Sequence, residues 1–265
     1  MDLKKLLEGV ERAARHAGKI MLEARNVGNT VSKKEGHANF VTEYDKRVQE
    51  YLFREMMRLL PGARMVGEEE GADAFSDLDG YAFCIDPIDG TLNFIAGYFP
   101  SVTSIALLED GRPLLGVVYN PYADEMFSAI RGGGAWRNGH AIVSSEAPLA
   151  RSLTLFGTAP YNPELNQITG DLCVEYLSRS EDLRRSGSAA WDLCCVACGQ
   201  AGLFFEVNLH LWDYAAAGLI CEEAGCVLSD MRGAPLRFDV VTSSVIVASR
   251  GVSAEDYLPR KPFEI

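Results

Sequence analysis

The chain has 265 residues, 48% of them hydrophobic, which suffices for one large layered domain or two small ones. Its formal charge is −12, from 37 acidic and 25 basic residues. So acidic a protein is a poor general partner for nucleic acid or an anionic membrane surface, and we expect neither as a partner. Part of the acidic excess can instead serve a cation site.

Helical periodicity opens the chain. Apolar residues recur at helical spacing from Leu3 to Met21 and predict a long amphipathic helix, and a second helix is predicted from Glu43 to Leu60. The charged N-terminal stretch has no apolar core typical of a secretory signal. The period then changes to that of strands, which form a largely antiparallel meander through the segments YAFCI, VTSIALLE, LLGVVYN and EMFSAI.

After about Ser144, strands and helices alternate, which indicates a second, α/β half. We predict an N-terminal α+β subdomain of residues 1–147 that carries the metal-binding motif. The remaining residues, 148–265, form a C-terminal α/β subdomain that carries substrate-binding residues. The candidate catalytic acids are expected to meet at the seam between these two halves.

Seven cysteines, most of them in apolar surroundings, indicate reduced thiols and a cytoplasmic location. Cys195 and Cys198 form a CxxC, but it lies in the apolar segment WDLCCVACGQ, which predicts a buried helix. Small buried cysteines are common in such helices, so packing is favoured over metal or redox chemistry.

Acidic residues follow regular elements at three separate points. Glu68 comes after RMVG, Asp86 and Asp89 come after YAFCI, and Asp213 opens a predicted helix after LFFEVNLHLW. Clustered carboxylates repel one another unless a cation neutralises them. Oxygen ligands select Mg²⁺, and a site with two or more such ions can hold both the attacking and the leaving oxygen of a phosphoryl group.

The stretch from Asp86 to Gly90, DPIDG, predicts a tight turn. Pro87 fixes φ, and Gly90 leaves its own amide and that of Thr91 open to an anion. The Thr91 hydroxyl is then close to a water activated by the metals. Taken alone, each motif has a simpler interpretation: a β-turn for DPIDG, a solvated loop for GEEE and a helix cap for WD. Their combination favours the metal site.

Three segments resemble the inositol monophosphatase family of magnesium-dependent, lithium-sensitive phosphatases: GEE, IDPIDGTLNF and WDYAAAGLICEEAG. The resemblance extends from Asn39 to Asp230. It implies an α+β or α/β fold with αβαβα layers, in which an antiparallel N-terminal sheet is followed by a second α/β half. It also implies a homodimer and two or three Mg²⁺ ions per site.

The resemblance assigns roles to individual residues. The metal ligands that it implies are Glu68, Asp86, the Ile88 carbonyl, Asp89 and Asp213. The catalytic residues that it implies are Thr91 and Asp45, which orient the attacking water, together with Glu68 and Asp89. The substrate-binding residues that it implies are Gly90, Thr91, Gly187, Ser188, Ala189 and Glu206. Thr158 falls at a variable position of the family, and Arg184 and Arg185 resemble bacterial members, with salt bridging or a dimer contact as their expected role.

The function expected from this resemblance is hydrolysis of myo-inositol monophosphate or a related small polyol or sugar phosphate. Glu206 favours a polyol, because a carboxylate accepts hydrogen bonds from hydroxyls and repels a second phosphate. Fructose-1,6-bisphosphatase, 3'-phosphoadenosine phosphatase and histidinol-phosphate phosphatase share the fold and stay open as alternatives. A regulatory binding protein on an inactive phosphatase scaffold is disfavoured, because none of the expected acids is missing.

Overall fold

The structure, a computed structural model, describes residues 1–24, 27–33, 40–70 and 78–261. The helices in this part of the chain are α1 (Leu3–Glu23), α2 (Glu43–Leu59), α3 (Thr91–Ala96), α4 (Asn166–Leu177), α5 (Ala189–Ala197), α6 (Leu211–Glu223) and α7 (Ala254–Tyr257). The strands are β1 (Ser32–Lys33), β2 (Phe40–Val41), β3 (Arg64–Gly67), β4 (Tyr81–Asp89), β5 (Val102–Glu109), β6 (Arg112–Asn120), β7 (Glu125–Ile130), β8 (Gly134–Arg137), β9 (His140–Ile142), β10 (Leu153–Phe156), β11 (Asp182–Arg184), β12 (Leu203–His210), β13 (Val227–Ser229) and β14 (Thr242–Ala248).

The strands form two large sheets. In the first, β3 to β9 follow one another in chain order, and all pairs are antiparallel except β3 with β4. The predicted meander is therefore confirmed. In the second sheet the order is β11-β10-β12-β14-β13, and β10 pairs in parallel with both β11 and β12. Strand β14 pairs with β12 in the antiparallel direction.

Helices cover and separate these sheets. Helices α1 and α2 pack on the outer face of the first sheet, and α4 packs on the second sheet. Helices α5 and α6 lie between the sheets and contact strands of both. The order of layers is αβαβα, which confirms the predicted fold class. The chain positions of the two sheets agree with a division near residue 147, but the subdomain boundary itself stays a prediction.

The two N-terminal helices form for local reasons that the sequence contains. In α1, buried Leu6, Val10 and Ala17 share one face, and the Asp2 side chain caps the first turn by accepting the N–H of Lys5 at 3.1 Å. In α2, Thr42 is the N-cap and forms a capping box with the residue three positions later. The predicted end of α2 at residue 60 is one residue too long.

Close packing fixes α6 against the first sheet. A Cβ added to Gly116 in β6 would lie 2.5 Å from the Ala216 carbonyl oxygen, so only glycine allows this approach. The Ser104 hydroxyl in β5 donates to the Trp212 carbonyl at 3.2 Å, in the first turn of α6. These contacts determine where the N-terminal turn of α6 lies relative to β4 and β5.

Two expectations from composition concern the thiols and the membrane. All seven cysteines are free thiols, and Cys194 and Cys195 are packed in the core between the sheets. Burial raises the pKa of both thiols, which fits packing rather than reactivity. Among the described helices, none is long and apolar enough to cross a membrane.

Candidate active site

A cavity of about 380 Å³ lies where β4, α5, α6 and β12 come together. All the predicted site residues except Asp45 line this cavity: Glu68, Asp86, Ile88, Asp89, Gly90, Thr91, Gly187, Ser188, Ala189, Glu206 and Asp213. They come from both predicted halves of the chain. Asp45 is fully buried behind the wall of the cavity and reaches it through a hydrogen bond.

The DPIDG stretch differs from the sequence prediction. Strand β4 does not end at Ile85 but continues to Asp89, with a register shift against β5 between Asp86 and Asp89. The predicted tight turn is therefore wrong: this segment is an irregular strand end, followed by Gly90 with φ of 91° and the start of α3. Such irregularities re-aim side chains. Here the result is that both aspartates line the same cavity.

Asp89 is bound by the N-terminus of α5. Its carboxylate accepts the Ser188 hydroxyl at 2.6 Å, the Ala190 N–H at 2.7 Å and the Ala189 N–H at 3.3 Å. Burial raises the pKa of Asp89 to about 6, against the lowering effect of these three hydrogen bonds. The N-terminus of a helix favours a negative charge, so α5 partly compensates this buried acid.

Asp45 and Asp213 occupy equivalent places in their helices. Each is the third residue of its helix and closes a capping box, with Thr42 in α2 and with His210 in α6. Asp213 accepts the His210 N–H at 3.0 Å. Burial raises the pKa of Asp213 well above its usual value, and the charge of Asp89 adds to this effect. Asp213 therefore does cap its helix, as the simpler interpretation of WD predicts. It also faces the cavity.

Thr91 lies between two acceptors. Its hydroxyl is 3.3 Å from Asp45 Oδ1 and 3.1 Å from the Ile88 carbonyl oxygen, and its single proton can serve one of them at a time. The other Asp45 oxygen accepts the Thr42 hydroxyl at 2.5 Å and the Thr42 N–H at 2.7 Å. Asp45 is therefore held rigidly, with one oxygen directed at Thr91.

The carboxyl groups of the cavity act on one another. Burial raises the pKa of Asp86 well above its usual value, and the charges of Glu68, Asp89 and Asp213 raise it further. Among the described residues, no group of three or more acids, histidines or cysteines is arranged closely enough to hold a metal ion. The acids thus face one cavity without being drawn together. An all-oxygen set of mutually repelling carboxylates has the donor chemistry that suits a hard divalent cation.

Glu206 lies in β12, is buried and lines the cavity. Its carboxyl group packs against Gly157, where an added Cβ would lie 1.7 Å from Oε2. Burial raises the pKa of Glu206 to about 8, and the positive charge of Arg185 opposes this shift. The acceptor role expected from the sequence requires an ionised Glu206. With a pKa of about 8, the group is mostly protonated at neutral pH, so its acceptor role depends on pH.

Several cavity residues were not identified from the sequence as site residues, namely Phe40, Pro160, Tyr161, Arg185, Asp192, Leu209, His210 and Trp212. Arg185 had been expected to form a salt bridge or a dimer contact. It lines the cavity, whereas Arg184 is exposed and pairs with Asp182 at the surface. Burial raises the pKa of Asp192 to about 7. The only signal for Asp192 in the sequence is a second WD pair, whose aspartate lies six residues after Ser186 of the SGS loop.

A layered αβαβα fold with buried carboxylates from three chain segments around one cavity defines a class of sugar-phosphatase-like proteins. The chain belongs to the inositol monophosphatase family, whose model matches residues 2–261. It is 38% identical to inositol monophosphatase 2 of Solanum lycopersicum, over 88% of this chain and 89% of that protein. It is 35% identical to Nus factor SuhB of Xylella fastidiosa, over 84% and 81% of the two chains.

Comparison with solved structures supports the same family. The inositol monophosphatase of Anabaena (Nostoc) matches with a TM-score of 0.82 and 28% identity, over 97% of this chain and 94% of that one. SaIMPase-II with inositol monophosphate bound matches with a TM-score of 0.76 and 26% identity, over 92% and 90%. SaIMPase-II with 2'AMP bound matches with a TM-score of 0.78 and 28% identity, over 95% and 91%.

Proposed function

We propose that this protein is a cytoplasmic, Mg²⁺-dependent phosphomonoesterase that hydrolyses myo-inositol monophosphate or a related polyol or sugar phosphate. The observation that carries the proposal is the set of acids from β4, α6 and the turn after β3 that face one cavity, where burial and neighbouring charges raise the pKa values of Asp86, Asp89 and Asp213. Such a set is costly without cations. The homodimer implied by the family resemblance is part of the proposal.

The metal-binding residues in this proposal are Glu68, Asp86, the Ile88 carbonyl, Asp89 and Asp213, around two or three Mg²⁺ ions. When bound, the ions supply charge neutralisation for the phosphate and a lowered pKa for the attacking water. The chain's own contribution is to orient the acids. Helix N-termini hold Asp89 and Asp213 in hydrogen-bonded positions on the wall of the cavity.

Thr91 and Asp45 orient the attacking water in this proposal. Asp45 Oδ1 accepts the Thr91 hydroxyl at 3.3 Å, while the other Asp45 oxygen accepts the Thr42 hydroxyl. The Thr91 oxygen is then free to accept a proton from water on the side of the cavity. The burial of Asp45 keeps this relay away from bulk solvent.

The phosphate and the leaving group occupy different sides of the cavity. The amides of Gly90 and Thr91 bind the phosphate, as the family resemblance implies. The loop residues Gly187, Ser188 and Ala189 lie beside the inositol-like alcohol, and Glu206 accepts hydrogen bonds from its hydroxyls. The binding of inositol monophosphate by SaIMPase-II supports this choice of substrate class, and its binding of 2'AMP keeps nucleotide phosphates as alternatives.

A panel of phosphate esters, compared by kcat/KM with Mg²⁺ present, tests the proposal. The panel contains inositol 1-phosphate, fructose 1,6-bisphosphate, 3'-phosphoadenosine 5'-phosphate, histidinol phosphate and 2'AMP. We expect the highest value for inositol 1-phosphate or another polyol monophosphate, and a loss of orders of magnitude with Asp89→Asn. Preference for the bisphosphate or a nucleotide would select the corresponding alternative, and a near-normal rate for Asp89→Asn would exclude Asp89 from the chemistry.

The similarity to a protein named Nus factor SuhB favours a second candidate function, a regulatory binding role on the same scaffold. Its test is whether the chain retains a cellular phenotype when catalysis is abolished. If Asp89→Asn complements a deletion as well as the wild type does, the regulatory role carries the phenotype. Failure to complement assigns the phenotype to phosphate hydrolysis.

A further inference from the structure

The buried face of α2 carries two polar side chains one turn apart. Asp45 and Gln49 are 0% and 6% exposed, and both lie among apolar residues that pack against the first sheet. A buried polar side chain is costly unless it is hydrogen-bonded, so each needs a structural reason to be there. Asp45 is directed at Thr91. Gln49 is directed at a different part of the site.

Gln49 binds the backbone of the turn that carries Glu68. Its Oε1 accepts the N–H of Glu69 at 3.1 Å. Strand β3 ends at Gly67, and a short helical turn, Glu68–Glu70, follows at once. The hydrogen bond therefore holds the peptide that directly follows Glu68, where the chain leaves the sheet and turns toward the cavity.

The side-chain amide of Gln49 also contacts Gly67, at the end of the strand. A Cβ added to Gly67 would lie 2.3 Å from Gln49 Oε1 and 2.7 Å from Phe53 Cζ. The backbone at Gly67 thus rests directly on α2, with no room for a side chain. The contact with Gly67 and the hydrogen bond from Glu69, both made by Gln49, fix the turn against the helix. The helix is itself anchored by the Thr42 capping box.

We infer that Gln49 is a positioning residue for Glu68, and that α2 sets the geometry of the metal site as well as that of the Thr91–Asp45 pair. This inference rests on the proposed Mg²⁺ site. Residues that hydrogen-bond around a metal ligand commonly change metal affinity about 10- to 100-fold when mutated. Loss of the Gln49 acceptor is expected to act in the same way, through the backbone of the turn.

Isothermal titration of Mg²⁺ into the metal-stripped full-length protein tests the inference. Gln49→Met keeps the length and volume of the side chain but removes the acceptor, and we expect the Kd for Mg²⁺ to rise about 10-fold. Glu50→Gln, an exposed change on the same helix, is the matched control and should leave the Kd unchanged. The melting temperature without metal is measured in parallel, because a purely structural role would lower it without changing the Kd.

A second variant approaches the contact from the other side. Gly67→Ala leaves Gln49 intact but forces its amide away from the turn, so the Kd should rise here too. This variant carries the test if Gln49→Met does not fold. A wild-type Kd in a folded variant of either kind would overturn the positioning role. Absence of Mg²⁺ binding by the wild type itself would instead overturn the proposed function, on which the inference depends.

Discussion

Burial changes the protonation state, and with it the hydrogen-bonding role, of Glu206. As an ionised carboxylate it accepts hydrogen bonds and repels a second anion, but burial raises its pKa to about 8. In its protonated form it is neutral and one of its oxygens becomes a donor. In the proposed function, the discrimination between substrates by Glu206 is therefore coupled to pH, unlike the contribution of a permanently charged group.

The pH dependence of KM tests this coupling. As pH rises from 7 to 9, more Glu206 is ionised, so KM for inositol 1-phosphate should fall, while KM for an aryl phosphate without hydroxyls should not follow this trend. Glu206→Gln should abolish the trend and, at pH 9 where the wild-type group is ionised, lower kcat/KM for inositol 1-phosphate about 5- to 150-fold, corresponding to about 1–3 kcal/mol for one charge-assisted contact. Equal losses on both substrates would show that Glu206 serves the metal site or the fold.

Arg185 and Arg184 form a natural matched pair of adjacent arginines. The positive charge of Arg185 lowers the pKa of Glu206, whereas Arg184 pairs with Asp182 at the surface. Arg185→Gln should therefore raise the pKa of Glu206 and displace the KM profile toward higher pH, and Arg184→Gln should leave the profile unchanged. Steady-state kinetics between pH 6.5 and 9.5, a window of about three units around that pKa, would measure both. Equal profiles for the two variants would contradict the assignment of Arg185 to the cavity's electrostatics.

At the scale of elements, helix N-termini organise the site. The first turns of α2, α5 and α6 each bind one carboxylate, Asp45, Asp89 and Asp213 respectively. Backbone N–H groups at a helix start have no partner within the helix and favour a negative charge. Three helices thus contribute the compensation that holds these acids in place.

Ser188 tests this compensation at α5. Ser188→Ala removes the 2.6 Å hydrogen bond to Asp89, so the pKa of Asp89 should rise above about 6 and Mg²⁺ should bind more weakly. Ser188→Thr keeps a hydroxyl and is the control. The measurement is the Mg²⁺ concentration for half-maximal activity, expected to increase about 10-fold for the alanine variant only. No difference between alanine and threonine would show that the two amides hold Asp89 without the hydroxyl.

The sequence predicts elements better than it predicts their irregularities. The antiparallel strands and α6 follow from apolar periodicity, and the acids were identifiable because they follow such runs. The end of β4 was misjudged, because Pro87 and Gly90 favour a turn as readily as an irregular strand. Arg185 and Tyr161 could not be assigned to the cavity, since their position depends on how separate loops meet in the folded chain.

At the scale of the molecule, the two sheets close around a central helical layer, and the cavity lies where this layer meets both. Burial and mutual repulsion raise the pKa values of Asp86, Asp89 and Asp213. In the folded state these groups hold protons more tightly than in the unfolded chain. Their contribution to stability is therefore fully present below about pH 4 and is lost as pH rises through their folded pKa values.

Because the stability from these acids is lost as pH rises, the effect of Mg²⁺ on the melting temperature should depend on pH. The increase in melting temperature on adding Mg²⁺ should be small near pH 5, where the acids are largely protonated, and larger at pH 8, where the cations replace the lost protons. Differential scanning fluorimetry with and without Mg²⁺ across this range measures it. Asp86→Asn/Asp213→Asn, which removes two of the charges, should flatten the dependence. An equal Mg²⁺ increment at both pH values in the wild type would contradict the account.

In the proposed function the acids at β4 and α6 hold catalytic Mg²⁺, and phosphate release from inositol 1-phosphate measures whether turnover requires this ion. The protein is assayed after removal of metal, with chelator present, and again after Mg²⁺ is added in excess of the chelator. We predict no turnover in chelator, full turnover with Mg²⁺, and loss of orders of magnitude in kcat for Asp89→Asn under the same conditions. Full activity of the wild type in excess chelator would contradict the claim.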